Sequence, residues 1–173
     1  MSKIRNFFNR SAGPSAGFTL VEIIIVMALV ATVAVIAAAL VNFSSRGLLL
    51  RSESEKIQKT IETARERADL SVNGLGWGVY FLNTSTERSY SIFSGSNFAS
   101  ASTTVKTLLP SNVIFIVPIT SSSTEIDFAK FTDQISLNGA NLNTTTAVII
   151  GSADGATRAT ISINPLGQTS ISY

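Results

Sequence analysis

A carboxylate inside an apolar run is the group in this chain that most needs a chemical explanation. Glu22 is the fifth residue after Gly17 in Ser15-Ala16-Gly17-Phe18-Thr19-Leu20-Val21-Glu22, and residues 23–41 contain a single polar side chain, Thr32. A carboxylate at the centre of a bilayer costs roughly 2.5 to 3.5 kcal/mol, somewhat less near an interface, so it is retained mainly where it finds a partner. No Lys or Arg lies in residues 18–43 to supply one. The rest of the inventory is poor in reactive groups. With no Cys and no His, disulfide scaffolds, zinc fingers, thiol nucleophiles and imidazole bases are excluded together. Glu125 and Asp127 share a strand face and offer oxygens to a calcium ion, but two carboxylates without further ligands more often make a solvated face. Gly74-x-Gly76-x-Gly78 precedes a strand instead of opening a helix, which suits a turn and not a phosphate loop. Trp77, Tyr80 and Phe81 are expected to pack a sheet on a helix. The sequence implies no cofactor and no resident metal.

The elements that must position these residues follow from periodicity. Residues 18–43 are almost unbrokenly apolar; as a helix they would run about 39 Å, enough to cross a hydrocarbon core of about 30 Å. The run is too long for the apolar part of a cleavable secretory signal, and no A-x-A-like site follows it. Lys3, Arg5 and Arg10 precede it with no acid among them. The positive-inside tendency then puts the N-terminus in the cytoplasm and the remainder outside, a single-pass topology in a bacterial cytoplasmic (inner) membrane. Beyond a polar joint at 42–47, a helix over 48–72 carries Ile57, Ile61, Ala64 and Ala68 on one face, with Glu55/Lys59 and Arg65/Asp69 as supporting i,i+4 pairs. From 78 to 173 the pattern is short β-like runs, at 79–82, 89–93, 113–117, 125–128, 147–150, 159–163 and 169–172, with 94–104 and 120–124 as Ser/Thr-rich loops. The fold class is α+β: a long helix, then an antiparallel sheet.

The basic leader, the Gly17/Phe18 junction and the carboxylate at Glu22 together resemble the G-F-T-L-x-E signature of type IV pilins and type II secretion pseudopilins. The resemblance implies that a membrane aspartyl prepilin peptidase cuts between Gly17 and Phe18 and that Phe18 is N-methylated. Residues 1–17 would be a cleaved leader, 18–43 the transmembrane and assembly half of the helix, and 44–173 the extracytoplasmic domain. The α-amine of Phe18 would then be the cation that Glu22 lacks: in a staggered stack the amine of one subunit meets Glu22 of the next, and the pair neutralises itself in a low-dielectric bundle. Implied partners are the prepilin peptidase, other pilin or pseudopilin subunits, the inner-membrane assembly platform, and the lipid bilayer before assembly.

Two further stretches narrow the resemblance. The ending Arg158 to Ile171, with Pro165-Leu166-Gly167 as its turn, and Ala64-Arg65-Glu66-Arg67-Ala68 late in the helix are similar to GspH/FimT-like minor pilins and pseudopilins. The sequence departs from many major pilins in having Ala31 and Ala39 where a helix-breaking Gly and Pro often stand, and in lacking a Cys pair. A structural subunit of a type II secretion pseudopilus or type IV pilus is the function this implies, and not an enzyme. A DNA-uptake subunit touching nucleic acid is the alternative. Charge argues against it: without Lys3, Arg5 and Arg10 the remaining ten basic residues face 11 acidic ones, and Arg158 is the only basic residue after Lys130, whereas DNA binding needs clustered cations. A signal-anchored protein unrelated to pili, with an incidental Glu22, is the plainest rival.

Overall fold

The computed structural model describes residues 19–132 and 134–173. One helix, α1, spans Leu20–Asp69, so the polar stretch 42–47 is helical and not a break. The chain divides after Asn42 into two compact units, Met1–Asn42 and Phe43–Tyr173.

In the first unit every described side chain from 19 to 37 is exposed. The segment Leu20–Ala37 has a mean hydropathy of 2.9 and is long and apolar enough to cross a membrane. Thr32, its one polar interruption, donates its hydroxyl to the Ala28 carbonyl one turn back, which satisfies the group within the helix itself.

The second unit is built on the last five turns of α1. Ile57, Ile61, Ala64 and Ala68 are completely buried, as their spacing predicts, and each buried isoleucine contributes about 1.5 to 3 kcal/mol. The two alanines lie in the same buried core as the strands. The helix ends three residues earlier than the periodicity predicts. Ser71 and Asn73 adopt left-handed backbone angles, φ 48° and 60°, and a short 3-10 turn, Val72–Gly74, leads out; polar residues tolerate that conformation best after glycine.

The strands form two antiparallel sheets instead of the single sheet expected. Strands β1 (Trp77–Asn83), β2 (Arg88–Ser94), β3 (Thr103–Leu108), β5 (Ser122–Phe128), β6 (Ile135–Leu137) and β7 (Ala140–Asn141) make a six-stranded sheet in the order β3-β2-β1-β5-β6-β7. Strands β4 (Val113–Val117), β8 (Thr146–Ser152), β9 (Arg158–Ile163) and β10 (Thr169–Ser172) make a four-stranded sheet in the order β10-β9-β8-β4. Alternation places Trp77, Val79 and Phe81 of β1 and Ala159, Ile161 and Ile163 of β9 in the same core as the helix face. The sheets are tied where they approach: the Asn83 amide donates to the Phe115 carbonyl at 3.3 Å and to the Pro118 carbonyl at 2.7 Å, and Phe81 meets Phe115 edge to face. Three expectations fail here. Residues 94–104 hold a 3-10 turn, Phe98–Ser100, and the start of β3; residues 122–124 belong to β5; and Gly78 lies inside β1, not in a turn. A Cβ on Gly78 would sit 2.5 Å from the Phe93 ring, so this glycine serves packing.

Candidate functional site

Gly17 and Phe18 lie outside the described residues. Glu22 is described, exposed, in the first turn of α1. Its N–H donates to the Thr19 hydroxyl at 3.2 Å, the arrangement of an N-cap residue serving the third residue of a helix. Thr19 is not among the residues singled out above, although its T-x-x-E spacing to Glu22 is the signature of a capping box. The carboxylate has a local reason to stand there as well: at a helix N-terminus a negative charge faces the positive end of the dipole. The arrangement caps the first turn of α1 and leaves the Glu22 carboxylate free of any intramolecular cation among the described residues.

In the second unit the two stretches behind the narrower resemblance come together. Gly167, at φ 74°, closes the turn after Pro165, and a Cβ there would lie 3.0 Å from Arg65 Cδ and 3.0 Å from Ile135 Cδ1. The turn is therefore pressed against the Arg65 side chain. Beside it, the Thr169 hydroxyl donates to Glu62 Oε1 at 2.8 Å, and Gln58 Nε2 donates to Thr169 Oγ1 at 3.1 Å. At the end of α1, the Arg67 guanidinium sits 4.7 Å above the Trp77 ring, whose indole N–H donates to the Val72 carbonyl at 3.1 Å. These contacts hold helix, turn and sheet in one arrangement and contain no reacting group.

Glu125 and Asp127 do share a face of β5, but that face is not a solvated one. Both are partly buried, because the turn Phe98–Ser100 folds across the outer side of the six-stranded sheet. There the Phe98 ring stacks on Tyr80 at 4.0 Å and meets Phe93 edge-on, while the Phe98 N–H donates to Glu125 Oε1 at 2.7 Å. The Ser136 hydroxyl donates to Asp127 Oδ2 at 3.1 Å, and Asp127 Oδ1 is buried with no donor. Burial, then the charge of Glu125, pushes the Asp127 carboxyl up from 3.8 to about 7; the Ser136 hydroxyl opposes the rise, and a hydrogen bond with Glu125 adds to it. The orphaned oxygen and the raised carboxyl have one cause: Asp127 is largely withdrawn from water beside a second carboxyl group. Among the described residues no group of three or more acidic side chains is placed to bind a metal. Asp127 also borders a cleft of about 560 Å³ together with Gly74, Gly95 and Lys130, but the Lys130 ammonium is engaged, donating to the Gly74 carbonyl at 3.0 Å.

Residues 14–38 match the family model of the prokaryotic N-terminal methylation motif. No curated protein and no solved structure matches the chain. The matched stretch covers the Gly17/Phe18 junction, Thr19 and Glu22, and the motif is that of structural, not enzymatic, proteins. An anchor-length apolar helix begins within it, and the same helix ends in the core of an antiparallel β domain. The chain thus carries the prokaryotic N-terminal methylation motif of the type IV pilin and pseudopilin superfamily on a type IV pilin-like α+β fold.

Proposed function

We propose that the protein is a GspH/FimT-like minor pilin or pseudopilin, a non-catalytic subunit of a type II secretion pseudopilus or type IV pilus. In this reading the prepilin peptidase removes residues 1–17, Phe18 is N-methylated, and the chain waits in the inner membrane with its N-terminus cytoplasmic and residues 44–173 outside. Glu22 then provides the counter-charge for the Phe18 amine of a neighbouring subunit, and residues 18–43 exchange lipid for other apolar helices on assembly. The observation that carries the reading is the methylation motif over residues 14–38; the contact of the Pro165–Gly167 turn with Arg65 supports the narrower GspH/FimT-like assignment.

Intact-mass measurement after co-expression with a prepilin peptidase tests it. The expected product begins at Phe18 and carries one added methyl group. Gly17→Val places a branched side chain where the peptidase needs a small residue, and it should remain full length. Full-length protein in both cases would refute the processing.

A further inference from the structure

The free edges of the two sheets are not alike. Strand β7 is two residues long. Strand β4 carries a register shift between Phe115 and Val117, and its Phe115 carbonyl is taken by the Asn83 amide. Strand β10 is short and tied to α1 through Thr169. These are the usual ways in which an edge is kept from pairing. Strand β3 has none of them. All six of its residues, Thr103–Leu108, are exposed, it contains no proline, its register with β2 runs unbroken from Thr103 to Leu108, and its single charge, Lys106, is matched by Glu87 at 2.6 Å.

The direction of its backbone groups follows from the ladder. The Leu109 N–H donates to the Arg88 carbonyl at 2.9 Å, and the register runs on through Leu108 opposite Ser89 and Thr107 opposite Tyr90. Antiparallel pairs alternate between bonded and non-bonded positions. Thr103, Val105 and Thr107 therefore spend their backbone groups on β2, while the N–H and C=O groups of Thr104, Lys106 and Leu108 point away from the sheet. Val105 and Leu108 are 57% and 64% exposed at the same edge.

We propose that β3 is an interaction edge that receives an extended, uncharged segment of a neighbouring subunit in the assembled filament, pairing through Thr104, Lys106 and Leu108 with an apolar side chain set beside Val105. The chemistry identifies the occupant. A row of alternating donors and acceptors is completed by another strand, and with Lys106 already neutralised an uncharged strand fits. Three residues' worth of backbone hydrogen bonds, each nearly balanced by the water it displaces, is too little to capture a freely diffusing protein. Between molecules already held side by side the same row suffices, because the second contact is then effectively intramolecular. The proposal rests on the subunit reading above.

Amide hydrogen exchange of the processed protein beginning at Phe18, compared between detergent solution and sheared filaments, reads the edge directly. Thr104, Lys106 and Leu108 should exchange freely in detergent and become protected in filaments. Val105→Lys puts a guarding charge on a side chain that is already mostly exposed; it should melt like the wild type and fall at least tenfold in filament incorporation. Thr104→Pro removes an outward-pointing N–H and should show the same loss. Unchanged exchange on assembly, or wild-type incorporation of Val105→Lys, overturns the proposal. Wild-type protein absent from filaments overturns the subunit reading itself, and the edge proposal with it.

Discussion

Replacing Asp127 with asparagine should remove most of the pH dependence of the domain's stability between pH 5 and pH 8. Asparagine keeps the shape, still accepts from the Ser136 hydroxyl, and carries no charge to be buried beside Glu125. The magnitude comes from the site. Burial and the neighbouring carboxylate raise the Asp127 carboxyl from 3.8 to about 7, a gap worth roughly 4 kcal/mol at 1.36 kcal/mol per unit. The side chain is partly in contact with water, and screening reduces this to about 2 kcal/mol. The sign follows from linkage. The folded state holds the proton more tightly than the unfolded chain, so the stabilisation is fully present below about pH 4, declines as pH rises through the interval, and is lost above about pH 7. Above about pH 5 the background is clean, since the chain has no His and ordinary carboxyl groups titrate below that point. Urea melts of the second compact unit, Phe43–Tyr173, at pH 5, 6 and 8 should show the wild type losing up to about 2 kcal/mol and Asp127→Asn staying nearly level. Equal slopes for the two proteins would refute the burial of Asp127 as the source of the pH dependence.

Two further substitutions address the anchor and the packing of the C-terminal turn. Glu22→Gln preserves the T-x-x-E/Q cap on Thr19, so insertion and cleavage should survive; incorporation into sheared filaments should fall by about a hundredfold or more, in line with the roughly 3 to 5 kcal/mol lost when one partner of a buried pair is removed, and undiminished incorporation would leave assembly to the apolar surface alone. Gly167→Ala forces a side chain into a left-handed position 3.0 Å from Arg65 Cδ; a loss of about 1 to 3 kcal/mol is expected, and an unchanged urea midpoint would show that the turn yields freely.

Much of the architecture was legible because apolar residues recur at the period of the element they form. Ile57, Ile61, Ala64 and Ala68 mark one helical face, and β9 alternates cleanly from Arg158 to Ile163. Strand β3 was not legible for the same physical reason: with both faces exposed, its sequence Thr-Thr-Val-Lys-Thr-Leu carries no burial pattern to read. Strands β6 and β7 are too short to show a period. The environment of Glu125 and Asp127 depends on a turn 27 residues away from Glu125 in sequence, and local composition holds no record of such a contact. At the N-terminus the motif was readable because a carboxylate in apolar surroundings is costly, whereas the second duty of Glu22, beside Thr19, lay in a spacing that marks helix starts in ordinary soluble proteins.

Trp77 has a further use. It is the only tryptophan in the chain, 4% exposed, with Arg67 of α1 above its ring and the Val72 carbonyl on its indole nitrogen. Its fluorescence therefore arises from a single place, the seam between the last turn of the helix and the first strand. An event that lifts that turn would expose the indole and shift its emission to the red while the far sheet stayed intact. Undocking of the helix end and global unfolding would then be separable by comparing the tryptophan signal with circular dichroism, with no label attached to the protein.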